Sequence, residues 1–412
     1  MDILYRGCVG LDVHKKTVVA CVRRLDADGT TRQEIRTFAT MTCDLLAWSD
    51  WLAEQGVEHV AMESTGVYWK PVFNILESRF AVMLVNAQHI KQVPGRKTDV
   101  KDCAWIAQLL QHGLLRASFV PPPPIRELRD LTRQRAQLIA EKATAAKRIQ
   151  KVLEDANIKL ASVATDVLGV SGRAMLEAMI AGQDDAEQLA DKARRRLRKK
   201  IPERQTALQG RVTEHHRFQL RILMDPMTHL EGLIGRLGVK IEEVLAPFAE
   251  AAERLTTIPG VDQRTAETVI AAIGMDMKPF ATAEHLASWA GMCPGNNESA
   301  GKRKSGRTTK GSRWLRQVLT QAAWAASHTK DTYLSSQYRR LAARRGKKRA
   351  LAALGHTLLV VIYHLLKDGT KYHELGGDFL ERLEPERLTR QLINRLEKLG
   401  HKVILQPKED AA

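Results

Sequence analysis

Four carboxylates carry the first chemical signal in this chain. Asp12 interrupts the apolar run of residues 8–13, where a carboxylate is costly to bury unless it is paired or holds a metal. A surface position on an edge strand is the alternative. Glu63 ends a second apolar run, residues 57–62. Asp99 and Asp102 stand three apart behind Thr98, a residue that can cap a helix, so the two share one face of its first turn. Taken alone, that pair reads as acids complementing a helix dipole. Taken together, the four are a stronger signal, because strand ends and helix starts can converge on one edge of an α/β sheet. Clustered carboxylates repel one another unless divalent cations neutralise them, and hard oxygen ligands suit Mg²⁺. Two such ions can activate a nucleophile and stabilise a leaving oxygen at a phosphodiester.

The second signal lies in residues 289–316. A turn of Pro294, Gly295, Asn296 and Asn297 precedes Ser299, which sits between Glu298 and Ala300. A run without acids follows, carrying Lys302, Arg303, Lys304, Arg307, Lys310, Arg313 and Arg316. It reads as a polar loop that becomes a basic helix and meets an anion. The net charge of +17 agrees, with nucleic acid the leading partner and a merely soluble basic surface the alternative. No adjacent histidine offers Ser299 a local base. These residues alone leave its role open.

The elements that must position these groups follow from periodicity. Residues 8–13 and 17–22 are β-rich runs that predict a hairpin, and residues 57–62 and 82–85 predict short buried strands. Helical patterns over 45–55 and 67–78 alternate with them, which is the order of an α/β domain. The four prolines from Pro121 to Pro124 mark a stiff boundary. Beyond it Leu128, Leu131, Leu138, Ala145, Ile149 and Val152 fall on heptad positions, with Arg135 and Lys142 in the remaining two. A second heptad run holds Met227, Leu230, Ile234, Leu237, Ile241 and Val244, so long helices should pair with each other or with another subunit. Residues 194–200 form a basic patch, either a solvated helix face or a nucleic-acid stripe. The Pro259–Gly260 turn before Asp262 fits either a phosphate-binding helix-hairpin-helix or a plain packing unit. A helix over 313–328, a second basic cluster at 339–349 and an apolar segment at 357–366 complete the C-terminal third. That segment is interrupted by His364 and too short to span a bilayer, so no membrane is expected. The five scattered cysteines lack CxxC spacing, and no secretory signal opens the chain; a cytoplasmic location is the expectation. The expected division is 1–120, 121–250, 251–375 and a tail, 376–412.

Five spaced stretches add up to a family resemblance: GLDVHKKTVVACV, AMESTGVYW, GRKTDVKDCAWIAQLL, IPGVDQRTAETVIAAIG and WAGMCPGNNESAGKRKSGRTTKGSRWLRQVLTQAAWAAS. The chain resembles the DEDD-type transposases of the insertion-sequence one-ten group, and more narrowly their eleven-eleven-like branch. The resemblance implies an N-terminal RuvC-like domain of ribonuclease-H fold, whose Mg²⁺-binding tetrad would be Asp12, Glu63, Asp99 and Asp102. It implies a helical coiled-coil middle and a mainly α C-terminal transposase domain with a nucleophilic serine. Ser299 fits the family position, after a Gly-x-x-Pro turn and before a basic Gly-containing run; Ser305, six residues later, is the rival. Further implications are DNA partners at element ends and target, an element-encoded guide RNA, and a homo-oligomer, dimer or tetramer, with composite sites. The basic residues Lys302 to Arg316 would hold the phosphates. Two other functions remain open at this stage. One is a metal-dependent junction endonuclease working without a covalent intermediate, and the other a non-catalytic nucleic-acid-binding scaffold.

Overall fold

Alternation of Val, Leu and Cys through residues 7–25 builds the strands that everything in the first 120 residues packs on. The computed structural model describes residues 2–64, 66–86, 102–164, 166–193, 201–295, 297–383 and 385–406. It divides into two compact units, Met1–Val120 and Pro121–Ala412. In the first, β1 (Gly7–Val13) and β2 (Thr17–Leu25) form the expected antiparallel hairpin, in register from Gly7 opposite Arg24 to Val13 opposite Val18. A third strand, β3 (Thr31–Ala39), continues the meander. Its sequence, TRQEIRTFA, is polar because it is the exposed outer strand, so no hydrophobic signal announced it.

The chain then crosses through α1 (Thr42–Glu54) to β4 (His59–Glu63), and through α2 (Trp69–Leu76) to β5 (Ala81–Val85). Strands β4 and β5 run parallel to β1, giving a mixed sheet in the order β3-β2-β1-β4-β5. Helices α1 and α2 cover one face, where Leu45, Trp48, Leu52, Val72 and Leu76 meet Val9, Leu11, Val60 and Met62. The helix α3 (Asp102–Gln111) covers the other, over Cys8, Ala61 and Val85. Two-sided cover is why β1 and β4 read as nearly continuous apolar runs. Gly10 sets how closely α3 can lie, for a Cβ there would run into the Cys103 carbonyl and the Ala107 amide. Cys8, Cys21 and Cys103 are small buried groups at this joint, none of them in a disulfide. Burial pushes the Cys8 thiol up to about 11 and the Cys21 thiol up to about 12, as inert interior thiols require.

The second unit is mostly helical. The proline run does not end as a rigid spacer: Pro123 and Pro124 open the 33-residue helix α4 (Pro123–Asp155), since a first-turn N–H has no helical partner to lose. Helix α4 packs along α6 (Glu214–Leu245), and α5 (Val170–Ile180) closes one end of the pair around Ile149, Met175, Met179, Leu220 and Met227. The two polar positions of the first heptad run have specific partners. Lys142 Nζ lies 2.6 Å from Glu231. Arg135 forms a buried ion pair with Glu267, the two side chains only 8% and 4% exposed. Between the packed ends, Leu131, Leu138, Leu230, Ile234 and Leu237 are only half-buried.

Glu267 belongs to α8 (Gln263–Ile273), which follows α7 (Ala249–Thr256) through the Pro259–Gly260 turn. Arg129 of α4 also reaches α8, donating from Nε to the Ala271 carbonyl at 2.9 Å and from Nη2 to that of Ala272 at 2.6 Å. A cation there satisfies the last carbonyls of α8 and the negative end of its dipole. Burial, then the neighbouring Arg133, lowers the Arg129 guanidinium to about 10. After α9 (Ala283–Trp289) come β6 (Asn297–Ser299), β7 (Lys302–Ser305), α10 (Arg313–His328), α11 (Tyr333–Arg345) and α12 (Lys347–Asp368). The apolar segment at 357–366 proves to be the end of a longer helix. With 22 residues, α12 is long and apolar enough to cross a membrane by length and composition, against the expectation from the short run. Here its Leu354, Leu358, Leu359 and Ile362 are fully buried, and it packs on α9, α10 and α11.

Removing one member of the Arg135–Glu267 pair strands a buried charge. Glu267→Ala should cost about 3–5 kcal/mol in denaturant unfolding, whereas Arg135→Met combined with Glu267→Leu should regain most of that loss. Equal losses in the single and double variants would show that the pair is not what holds α4 to α8.

Candidate functional site

The acidic edge is built by strand register. Along β1, alternation turns Cys8, Gly10 and Asp12 toward the face that α3 covers. Along β4 the same face takes Ala61 and then Glu63. The parallel pairing sets Gly10 beside Ala61 and Leu11 beside Met62. Continued by one residue, that register would set Asp12 level with Glu63 at the carboxyl ends of neighbouring strands, at the usual strand spacing of about 4.8 Å. Because Cys103 lies over Gly10, the first turn of α3 with Asp102 opens at this same edge. Asp99 lies outside the described residues.

The Asp12 side chain is 30% exposed, and its Oδ2 stands 3.2 Å from His14 Nε2. Sequence reasoning missed His14, although D-x-H spacing at a strand end sets two side chains on one face. Among the described residues, no three His, Cys, Asp or Glu side chains gather closely enough to form a metal cage. Carboxylate oxygens are the donor type a hard dication takes, and here they come from two strand ends and one helix start.

In the second unit, the stretch around Ser299 is an ordered hairpin and not a loop. Its base is a close backbone crossing: Gly311 lies against Ala290 and Gly291 with no room for a Cβ. Above it the Gly295 amide donates to the Arg307 carbonyl at 2.8 Å, and Pro294 bridges Thr308. Strands β6 and β7 continue upward, with Ser299 paired to Lys302 and Asn297 to Ser305. Between Ser299 and Lys302 only Ala300 and Gly301 turn the chain, at φ 51° and 72°. Two positive φ values make a type I′ turn, the one whose twist suits a two-residue hairpin. Ser299 is therefore the last strand residue before the tip.

The basic run is distributed along this hairpin and into the next helix. Lys302, Arg303 and Lys304 lie in β7, Arg307 and Lys310 on the returning segment, and Arg313 and Arg316 in the opening turns of α10. Lys302, Arg307, Lys310 and Arg313 are exposed, while Arg316 is half-buried and donates from Nη2 to Thr308 Oγ1 at 3.3 Å. Arg313 and Arg316 occupy the end of α10 where the dipole favours anions, and no acid accompanies them. An anion bound at this end would relieve that local conflict.

At the foot of the hairpin, Arg307 lines a cleft of about 740 Å³ with Pro294, Gly306, Arg345 and Arg349. The cluster at 339–349 was visible in sequence as charge, but its meeting with Arg307 was not, since it depends on how α11 and α12 pack. Residues 194–200 lie outside the described residues. The Pro259–Gly260 turn resolves as a packing joint. Gly260, at φ 85°, leaves room for the Ala322 carbonyl and Ala326 of α10, and the Asp262 carboxylate accepts the Thr265 amide at 2.8 Å.

Comparison with known proteins places these sites in context. A family model described as Transposase, of the DEDD type of IS110, matches residues 9–158. A second, described as the Transposase IS116/IS110/IS902 family, matches residues 252–339. The chain is 32% identical to the insertion element IS110 uncharacterized 43.6 kDa protein of Streptomyces coelicolor over 29% of each chain. It is 29% identical to the insertion element IS900 uncharacterized 42 kDa protein of Mycobacterium paratuberculosis, over 71% of this chain and 80% of that one. It is 27% identical to the pilin gene-inverting protein of Moraxella bovis over 41% of this chain and 52% of the other. The matches thus span 29% of the first of these relatives and about half of the third.

If the arginine cleft holds phosphates, its charge should be read in salt dependence. Arg345→Gln with Arg349→Gln should weaken binding to a duplex DNA probe and flatten the slope of log K against log salt by about 0.9 for each phosphate that is no longer neutralised. A weakened affinity with an unchanged slope, measured by fluorescence anisotropy across a salt series, would assign these arginines a structural role instead.

Proposed function

The chain belongs to the insertion-element transposase family of the IS116, IS110 and IS902 type, and from that premise we propose that it cleaves and rejoins DNA strands with Ser299 as the nucleophile. In this reading the Ser299 hydroxyl attacks a backbone phosphorus, a serine–phosphate bond forms, and the bond to one deoxyribose oxygen breaks. The displaced deoxyribose leaves as a hydroxyl, taking up the proton the serine gives. Rejoining is the reverse, with a deoxyribose hydroxyl from another strand attacking the serine phosphodiester. Lys302, Arg303, Lys304, Arg307, Lys310, Arg313 and Arg316 hold the flanking phosphates and offset the charge that develops.

Asp12, Glu63, Asp99 and Asp102 would hold Mg²⁺, which when bound supplies Lewis-acid stabilisation of the phosphoryl oxygens. The observation that carries the reading is the strand register that levels Asp12 with Glu63, at the edge where α3 opens with Asp102. A mixed five-stranded sheet that begins with a hairpin and bears acids at its parallel strand ends supports a RuvC-like, ribonuclease-H-type first unit. The half-buried seam of α4 and α6 supports coiled-coil assembly into a dimer or tetramer, in which the acids of one subunit serve the serine of another. Strand choice is delegated to an element-encoded guide RNA, consistent with a surface rich in phosphate-binding cations. The protein acts in the cytoplasm, consistent with five cysteines that form no disulfide.

Ser299→Ala should abolish a denaturation-resistant protein–DNA adduct that the unaltered protein and Ser305→Ala both form. Asp12→Asn and Glu63→Gln should remove strand cleavage in Mg²⁺ by a factor of about 10³ or more. Cleavage that leaves free 5′-phosphate ends and never an adduct would establish a junction endonuclease. No strand cleavage by the unaltered protein, with nucleic-acid binding unchanged in both acid variants, would establish a scaffold.

A further inference from the structure

Helix α10 buries Leu315, Leu319, Ala322, Ala323 and Ala326 against the second unit, and on its outer side it leaves a tryptophan uncovered. Trp324 is 57% exposed. A solvent-exposed indole gives up the large stabilisation its burial would bring, and such groups mark contact surfaces. Its orientation is set. One turn on, the His328 ring packs on it with centroids 4.2 Å apart and planes inclined by 36°. His328 is itself tied back, its Nδ1 lying 2.8 Å from the Trp324 carbonyl oxygen and 3.0 Å from Ser327 Oγ. The indole is thus held on one side while more than half its surface stays open.

The same indole borders a groove of about 830 Å³ that Lys310, Arg313, Arg316 and Thr320 also line. The cations lie toward the start of α10 and the indole eleven residues after Arg313, which is about 16 Å along the axis. No acidic residue interrupts α10 between them.

We propose that this groove is a stacking platform for an unpaired DNA strand, with Trp324 receiving a base and Lys310, Arg313 and Arg316 holding the phosphates that lead to it. The proposal rests on the transposase reading, which supplies DNA as the polyanion and requires strands to leave their complements before they are exchanged. The indole selects an unpaired strand over a duplex. An indole can stack only on a base whose own neighbour has moved away, and such stacking tolerates any sequence because every base has a π face. The cations add the phosphate attraction that makes such grooves salt-dependent.

Fluorescence anisotropy on the full chain tests this, with one labelled sequence offered as single-stranded DNA, as duplex DNA and as single-stranded RNA. Trp324→Ala should weaken single-stranded DNA binding about ten-fold or more, leave duplex binding unchanged, and leave the salt slope unchanged because no charge is removed. Trp324→Phe should retain most of the affinity, and both variants should keep the parent unfolding midpoint. Three outcomes overturn the proposal: single-strand affinity indifferent to Trp324→Ala, an equal loss on single strand and duplex, or a loss confined to RNA. The result is separable from the serine chemistry. Strand binding through Trp324 without any Ser299 adduct removes the nucleophile and leaves the platform, whereas an adduct former whose strand affinity ignores Trp324 removes the platform alone.

Discussion

The missing side chain at Gly10 is the constraint on which the first unit depends. With no Cβ in the way, α3 lies backbone to backbone on β1, its Cys103 carbonyl and Ala107 amide filling the space a larger residue would claim. That contact seals one face of the sheet with small groups, Cys8, Ala61, Cys21 and Ala104. It also decides where the first turn of α3 falls. Seated over Gly10, the helix opens beside the carboxyl ends of β1 and β4, where Asp12 and Glu63 come level. A shift of α3 by one turn, about 5.4 Å, would carry Asp102 away from that edge while leaving the core equally apolar.

In the second unit, charge does what close packing does in the first. Arg129 and Arg135 leave α4 on one side and take hold of α8, one at its final carbonyls and the other at Glu267. The turn before α8 then leans on α10 through Gly260, so the long helix, α8 and α10 form one continuous support. Helix α10 carries that support to the crossing at Gly311, from which the β6–β7 hairpin rises. Ser299 is held at the tip by a turn whose two residues both take positive φ. Where the interior arginines are paired, those at the start of α10 oppose the helix dipole. The contrast between interior cations with acidic or carbonyl partners and surface ones set against a helix dipole is what the proposed phosphate contacts rest on.

Much of this was legible in the residues. The hairpin of β1 and β2, the short strands β4 and β5 and the helix Arg313–His328 all announce themselves, the inner strands as apolar runs because both faces are covered and the helix by the period of its one buried face. The strand β3 was silent, since an outer strand facing solvent needs no apolar pattern. The prolines announced a boundary but hid a helix start, because the first turn tolerates them. Arg135 and Lys142 looked like flaws in a heptad seam, and their partners, Glu267 and Glu231, lie more than a hundred and nearly ninety residues downstream. Polar groups in a seam can be explained only by what crosses it.

The sequence by itself determined the family, the α/β-then-helical order, the basic character and the kinds of residue available for chemistry. These are properties of composition and of spacing along one element, which local periodicity transmits directly. Only the tertiary structure decided that Asp12 and Glu63 share a face and a level, that Ser299 ends a strand at a hairpin tip, and that Arg307 meets Arg345 and Arg349. It alone left Trp324 beside the cations of α10. Each of these depends on register, on a glycine's clearance, or on how two helices cross, and those are set by contacts between residues far apart in the chain.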